Sequence, residues 1–355
     1  MIVPPDSSAA PRHRLLLLIA LAGGIVLLAL PVVLSDGRKL LAIVAQIRAP
    51  LLVLPVAFMI ASYVAMSRSY QGIADAAQCR LPFRDWIRIT FVSNTVNYLV
   101  TSAGLSGFAV RMYLLGQQGV PSGRAVLISL VQTFLTNFTL FFFILIGFAT
   151  LVLGHRLPPA ALAAAGGAVV VFTALLAWCI VLIYHRQLRR RTLFLLADAG
   201  HRILRRVVPR WTPRRVRLWR FQHNLNEGLE FLFARKDRIV APAAWIFLDW
   251  FFMMGILWAA FHAVNCPVSP GLIVIGFAVG IALSLVPLVP GGLGIMDVSM
   301  TGVFVSFGVP LEHATLAVLI FRVAYYVLPL LTSLFLFHGL MRQATRSMAS
   351  PTPAI

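Results

Sequence analysis

Acidic residues are scarce in this chain of 355 residues: 11 Asp and Glu stand against 30 Lys and Arg, and charged residues of both signs make up only 12%. A soluble domain usually carries about twice that share of charge. Hydrophobic residues make up 60%, and the mean hydropathy is +0.89. A water-soluble fold is thereby excluded, because so large an excess of apolar sequence has to face lipid.

Cysteines are few and widely spaced. Cys79, Cys179 and Cys266 lie far apart, and the histidines are scattered as well. Neither a disulfide framework nor metal-ligand spacing follows from such a distribution. The sequence also lacks a phosphate-binding Gly-x-x-x-x-Gly-Lys loop, so we expect no use of ATP by this chain itself. We therefore expect no metal site and no cofactor.

Basic residues are concentrated in one segment. Of the 30 Lys and Arg, 15 lie between Arg186 and Arg238. This segment joins two hydrophobic runs, so its natural counterion is the anionic cytoplasmic leaflet rather than nucleic acid. Apolar residues recur within it at helical spacing, which is typical of helices lying on the membrane surface. Solvated connectors that merely set the topology fit the same pattern equally well.

Long apolar runs predict membrane-spanning helices. A hydrocarbon core of roughly 30 Å needs about 20 apolar residues as a helix. We assign six such windows, at 15–34, 50–66, 125–153, 160–184, 243–263 and 314–337. They are too long for the strands of an outer-membrane barrel, which have about ten residues of alternating polarity. The first window follows a basic N-terminus like an export signal, but its length favours a retained span.

Two further apolar segments, 84–119 and 270–308, are interrupted by glycine and proline. The residues at the interruptions are Gly104 and Gly107 in the first segment, and Pro287, Pro290, Gly291, Gly292 and Gly294 in the second. Irregular backbone at membrane depth has to be surrounded by protein or water. We therefore expect two re-entrant helix pairs. Full crossings at both segments are the alternative, but they would leave the basic segment outside the cytoplasm.

The predicted fold is an all-α polytopic membrane protein with about six full spans and two re-entrant helix pairs in an inverted-topology repeat, as in many alternating-access transporters. We divide the chain into a cytoplasmic N-terminus (1–14), a first membrane repeat (15–184), a basic amphipathic cytoplasmic segment (185–242), a second membrane repeat (243–338) and a cytoplasmic tail (339–355). We expect a bacterial inner-membrane protein with both termini in the cytoplasm.

Charged residues within the apolar segments mark the candidate site. Each would cost on the order of 2.5–3.5 kcal/mol at a helix centre. Arg111 and Arg322, one near each break, suit a bidentate clamp for a phosphate. The same sequence is equally consistent with a structural role, in which the two arginines pair with Asp249 and Asp297 and hold the bundle together. Polar residues of the first pair either line the same cavity or bond between helices; they are Ser93, Asn94, Asn97, Tyr98, Thr101 and Ser102.

Three motifs in this chain resemble those of the flippase-like family built on the transmembrane region of lysylphosphatidylglycerol synthase (multiple peptide resistance factor). The run from Pro287 to Asp297 resembles the family's Pro-x-x-Pro-Gly-Gly-x-Gly-x-x-acid motif. Residues 321–329 resemble its arginine-bearing last span, and residues 104–111 its glycine-then-arginine motif. The resemblance extends over residues 12–345. Phe108 stands where many relatives carry an acid, so no charge pair is implied there.

The resemblance implies lipid translocation rather than lipid aminoacylation, because no aminoacyltransferase domain is expected after Arg346. The substrates that it suggests are an aminoacylated phospholipid, a polyprenyl-linked sugar or a hopanoid-type lipid. Asp297 would pair with the arginines or titrate during transport. The predicted substrate-binding residues are Arg111, Arg322, Asp297, Asn94, Asn97, Thr101, Ser102 and Tyr325.

Two other functions stay open at this point. A non-transporting membrane subunit would anchor a cytoplasmic biosynthetic enzyme through residues 192–234. An integral-membrane transferase for a lipid-linked substrate would need a positioned base. Its candidates, dispersed in sequence, are Asp85, His155, Asp249 and Asp297.

Overall fold

The computed structural model describes residues 26–99, 105–153, 237–284 and 294–336, together with isolated positions between 163 and 191. Within these ranges helices are joined by short turns, and no strand occurs. Four of the helices are long and apolar enough to cross a membrane: Ala49–Ala76, Ser122–Thr150, Asp237–Ala263 and Leu311–Leu336. The predicted all-α membrane fold is confirmed at this level.

The helices of the described ranges are, in chain order, α1 (26–34), α2 (Gly37–Ala45), α3 (Val53–Ala76), α4 (Phe83–Leu99), α5 (Leu105–Gln117), α6 (Ser122–Leu153), α7 (Asp237–Ala263), α8 (Pro270–Ser284), α9 (Ile295–Ser306) and α10 (Leu311–Leu336). A 3₁₀ turn, Ala49–Leu52, leads into α3. Within α10, the residues Val323–Val327 form a π-helical turn directly after Arg322. Apart from those isolated positions, the predicted span at 160–184 and most of the basic segment lie outside the described residues, as do residues 1–14 and 339–355.

The helix limits differ from the predicted windows at three places. Helix α3 continues to Ala76, ten residues beyond the predicted window at 50–66, so that only residues 77–82 connect it to α4. Hydrogen bonds inside the bundle explain the extension: the Ser67 hydroxyl donates to the Tyr63 carbonyl at 2.7 Å, and the Ser69 hydroxyl to Gln132 at 3.0 Å. A hydropathy average scores these buried serines as polar, so the predicted window ended before them.

Helix α7 also begins earlier than predicted, at Asp237 rather than at residue 243. Residues 237–242 therefore belong to a membrane helix and not to the basic segment, and an acidic first residue suits the positive end of the helix dipole. Helix α2 was not predicted. Asp36 caps it by accepting a hydrogen bond from the Arg38 amide at 2.9 Å, and Ile43 and Ile47 pack on the core.

Helices α3 and α7 pack together in antiparallel orientation. Ser62 of α3 bonds to Asp249 of α7, Gly72 lies against Pro242, and Phe58 lies against Gly255. A Cβ atom added at Gly72 would be 2.9 Å from Pro242 Cγ, so glycine permits the close approach. One membrane-spanning helix from each half of the chain therefore takes part in this close crossing.

The two broken segments form pairs of antiparallel helices, α4 with α5 (hairpin 1) and α8 with α9 (hairpin 2). In hairpin 1, a Cβ atom at Gly107 would lie 2.8 Å from both Asn97 Cβ and the Ser93 carbonyl oxygen. In hairpin 2, Gly276 and Gly280, four residues apart, face Phe304 and Met300. Small residues at this spacing let membrane helices approach closely. The breaks themselves, residues 100–104 and 285–293, lie outside the described residues.

Replacing Gly280 by Val is expected to destabilise the protein by about 1–3 kcal/mol, because an added side chain overlaps Met300 inside a packed hairpin. Thermal unfolding in detergent measures the effect. Gly302→Val is the matched control, since a Cβ atom there meets nothing within 4 Å. Equal melting temperatures for the two variants would contradict the close packing of α8 on α9.

Candidate functional site

The ends of the two hairpins that face their breaks meet at two tyrosines of α10. Near the end of α4, the Tyr98 hydroxyl donates to the Tyr325 hydroxyl at 3.2 Å, and the Tyr98 ring lies 4.9 Å from that of Tyr326. The Tyr326 hydroxyl contacts the Met296 sulfur at 3.6 Å, at the start of α9. The end of α4 and the start of α9 therefore lie in the same region of the bundle.

Further tyrosines extend this region along α3. The Tyr63 ring lies 6.0 Å from that of Tyr325 and stacks on Phe91 at 4.0 Å. We call Tyr63, Tyr98, Tyr325 and Tyr326 the tyrosine cluster. Tyr70 lies seven residues after Tyr63, which places it two turns along on the same face of α3. The sequence analysis singled out Tyr98 and Tyr325 and missed the others, although the spacing of seven in α3 was a usable signal.

Asp297 and Arg322 form a buried bidentate ion pair. Arg322 Nε donates to Asp297 Oδ1 at 2.9 Å, and Nη2 donates to Oδ2. The Gly294 amide also donates to Oδ2, at 2.9 Å. Gly294 has a φ angle of +80°, which residues with a side chain rarely adopt. This turn therefore requires a glycine at the last position of the Pro-Gly-rich run. Asp297 is thus held by three hydrogen bonds at the start of α9.

The remaining surface of the Arg322 guanidinium faces the tyrosine cluster. Its Cζ lies 4.1 Å from the centroid of the Tyr326 ring, a cation–π contact. Nη1 is buried and makes no hydrogen bond to any residue that the structure describes. The NH2 group at Nη1 is therefore left over after the ion pair.

Arg111 is the second buried arginine, and its surroundings differ. It is only 6% exposed, and its Cζ lies 4.4 Å from the centroid of the Tyr70 ring. Nε makes no hydrogen bond, and among the described residues no carboxylate forms an ion pair with Arg111. Arg111 and Arg322 therefore have different partners: Arg111 contacts Tyr70, and Arg322 pairs with Asp297. The structure shows no ion pair between Arg111 and Asp249.

The asparagines of hairpin 1 lie beside the tyrosine cluster or at the helix crossing. Asn94 Nδ2 donates to the Met66 sulfur at 3.0 Å. Asn97 packs against Gly107, and its buried Oδ1 has no hydrogen-bond partner in the described part of the chain. The predicted site residues that lie outside the described residues are Thr101, Ser102, Gly104, Pro287, Pro290, Gly291 and Gly292.

The carboxylates considered for a transferase occupy separate places. Asp85 pairs with Arg88 at 3.4 Å in the first turn of α4. Asp249 accepts a hydrogen bond from Ser62, and Asp297 belongs to the Arg322 pair. His155 lies outside the described residues. These three carboxylates therefore have three different sets of contacts and do not assemble into one reaction centre.

Comparison with known proteins gives two matches. The family model of the lysylphosphatidylglycerol synthase TM region matches residues 17–333, which include both hairpins and every site residue described above. A UPF0104 membrane protein of Methanothermobacter thermautotrophicus is 32% identical over 78 residues, or 22% of this chain. The match spans 22% of the length of that relative.

Proposed function

Because the chain belongs to the family of the lysylphosphatidylglycerol synthase transmembrane region, we propose that it moves a membrane lipid with an anionic headgroup from one leaflet to the other. The membership supports a lipid-related role in the membrane. The transport activity and the site rest on the hairpins, on the relation between the two halves and on Arg111.

The lengths of the hairpin helices support re-entry. Helices α4, α5, α8 and α9 contain 17, 13, 15 and 12 residues. At 1.5 Å per residue the longest is about 26 Å, which is less than the roughly 30 Å of a hydrocarbon core. Each pair therefore enters and leaves on one side.

Loop charge supports opposite openings for the hairpins. Arg80, Arg84 and Arg88 flank the open end of hairpin 1, whereas residues 264–270 and 306–311 at the open end of hairpin 2 carry no charge. By the positive-inside rule, hairpin 1 opens to the cytoplasm and hairpin 2 to the other side. A lipid headgroup that entered between them would meet the tyrosine cluster.

An inverted repeat is supported by the spacing and direction of the helices. The first residues of α4 and α8, of α5 and α9, and of α6 and α10 are 187, 190 and 189 positions apart. The two halves thus present the same elements in the same order. Since α3 and α7 are equivalent and antiparallel, one half runs opposite to the other.

Reciprocal packing between the two halves also supports an inverted repeat. Helix α10 of the second half packs on α4 of the first, through hydrogen bonds from Ser333 to the Phe91 carbonyl at 3.0 Å and between Ser333 and Thr95 at 2.6 Å. Helix α6 of the first half packs on α8 of the second, where Gly147 lies against Ala278. Each hairpin therefore packs on the helix that follows the hairpin of the other half.

Arg111 carries the proposal. Arg111 is buried and has no carboxylate partner among the described residues, an arrangement that is costly in a membrane. An anionic headgroup would satisfy both its charge and its unpaired Nε, because guanidinium binds phosphate and carboxylate oxygens well. Arg322 offers a second unpaired N–H beside the tyrosine cluster. We place the headgroup first at Arg111 in hairpin 1 and then at the cluster.

The proposal is tested by reorientation of headgroup-labelled lipids in proteoliposomes, with anionic, zwitterionic and neutral headgroups compared. Wild type is expected to move anionic lipids, and Arg111→Gln to slow them by at least about tenfold, the equivalent of one charge-assisted hydrogen bond. Arg124→Gln is the control, because Arg124 is exposed and donates to the Gln78 carbonyl. It should leave the rate unchanged.

If wild type moved none of these lipids, transport would be excluded as the function. The role of a membrane subunit that holds a partner through residues 192–234 would then take its place. Equal slowing by Arg111→Gln for anionic and neutral lipids would instead place the headgroup elsewhere, since the loss of a charge contact has to discriminate between them.

A further inference from the structure

Asp249 is a buried carboxyl that the proposed headgroup site does not use. It is 2% exposed and lies 12 residues from the start of α7 and 14 from its end. At 1.5 Å per residue it is about 18 Å from the start and about 21 Å from the end, close to the middle of the membrane. Its hydrogen bond to a described residue comes from the Ser62 hydroxyl.

Asp249 and Asp297 differ in what holds them. Asp297 accepts two hydrogen bonds from Arg322 and one from the Gly294 amide, so its charge is matched. Asp249 has no basic partner within the described ranges. A carboxylate at membrane depth with a single neutral donor is expensive, and such groups become neutral by taking up a proton.

The groups that face Asp249 from the surrounding helices are neutral. Ser62 of α3 contacts Asp249 directly. Four tyrosines are near enough to interact with its charge electrostatically: Tyr63 and Tyr70 of α3, Tyr98 of α4 and Tyr325 of α10. No arginine, lysine or histidine of the described residues interacts with it. Its surroundings therefore favour the neutral acid unless water reaches it.

We propose that Asp249 is a proton-binding site that couples the lipid movement to a proton gradient. This inference rests on the proposed function. The carboxylate takes up one proton when the α3–α7 contact is open to one side of the membrane. Asp249 stays neutral while the opening changes sides, and it then releases the same proton to the other side. The Ser62 hydroxyl serves both forms, because it donates to the carboxylate and can accept from the acid.

The position of the Asp249–Ser62 contact suits such a role. Ser62 belongs to the first half and Asp249 to the second, and the two residues lie at the antiparallel crossing of α3 and α7. A change in the relative position of the halves alters this hydrogen bond directly. The Asp297 carboxylate, in contrast, is fixed to residues of its own half. Coupling through Asp249 therefore replaces the expectation that Asp297 titrates.

The test uses the full chain in proteoliposomes containing a labelled anionic lipid that wild type moves. The measured quantity is the steady-state distribution of the lipid between leaflets, with and without an imposed pH gradient. One proton per lipid shifts the leaflet ratio by up to about tenfold per pH unit. Wild type is expected to show this shift, and Asp249→Asn to lose it, because an amide cannot carry a proton between the two sides.

Two further variants keep the test decisive. Asp249→Glu retains a carboxyl and should retain the shift. If substitution at this position instead damaged the fold, both Asp249→Glu and Asp249→Asn would lose lipid movement. Asp75→Asn, an exposed carboxyl near the end of α3, should respond like wild type. A response of Asp249→Asn equal to that of wild type, or a response to a sodium gradient at constant pH instead, overturns the inference.

Failure of the two proposals can be told apart. If wild type moves lipid but its leaflet distribution ignores the pH gradient, the proton site is wrong and transport stands. If wild type moves no lipid, transport is wrong, and infrared difference spectra between about pH 5 and about pH 9 decide on Asp249. A protonated-carboxyl C=O band that is absent from Asp249→Asn supports the proton site; its absence from wild type throughout overturns it.

Discussion

Arg322→Ala is expected to destabilise the protein by about 3–5 kcal/mol, the usual cost of removing one partner from a buried ion pair. The loss comes mainly from the Asp297 carboxyl, which is 3% exposed and would keep only the Gly294 amide as donor. It would then be either a buried unpaired charge or a carboxyl that has to take up a proton, and both states cost stability. Removal of the cation–π contact to Tyr326 adds to it. Thermal unfolding in detergent, with the fraction folded followed by gel filtration, measures the effect.

The double variant Asp297→Asn with Arg322→Gln separates the ion pair from general packing. It leaves no unpaired charge, so we expect it to be more stable than Arg322→Ala alone despite carrying two changes. Arg84→Ala is the control for loss of an exposed arginine and should stay within about 0.5 kcal/mol of wild type. Strictly additive losses from Asp297→Asn and Arg322→Gln would show that the two side chains do not depend on each other.

A disulfide between Thr95→Cys and Ser333→Cys is expected to slow lipid movement at least about tenfold, with recovery on reduction. The two hydroxyls are 2.6 Å apart, so cysteines at these positions can reach disulfide geometry. The bond would tie hairpin 1 to the last helix of the other half. Alternating access requires the halves to move relative to each other, so the link should stop the cycle.

The cross-link is made in a chain whose three native cysteines are replaced by alanine. Burial raises the pKa of the Cys79 and Cys266 thiols, which lowers their reactivity, but the replacement removes any competing pair. Each single-cysteine variant serves as a control under the same oxidant. Full transport by a chain whose disulfide is verified by mass would mean that α4 and α10 move as one body.

The helix pairs could be predicted from the sequence because glycine and proline interrupt otherwise uniform apolar runs. The limits of α3 could not. Ser67, Arg68 and Ser69 look like the start of a loop, yet the two serines bond within the bundle. Hydropathy reports what a side chain prefers in isolation, and tertiary partners at a distance change that preference.

The site shows the same division. Arg322 and Asp297 were recognisable as unusual charges in apolar segments, but they are 25 positions apart, and no local period joins them. A clamp and a structural pair were therefore equally consistent with the sequence. Tyr63 and Tyr70 carry no charge, so the sequence analysis did not assign them to the site. The three-dimensional fold was needed to show that a tyrosine ring lies against each of the two arginines.

The reciprocal packing of the two halves also bears on how the chain is made. The Phe91 carbonyl and the Thr95 hydroxyl find partners at Pro329 and Ser333, which are between 234 and 242 positions later in the chain. Until the last helix leaves the ribosome and enters the bilayer, these polar groups of hairpin 1 have no such partner. Hairpin 1 is therefore synthesised early, but its hydrogen bonds to α10 form only at the end of synthesis.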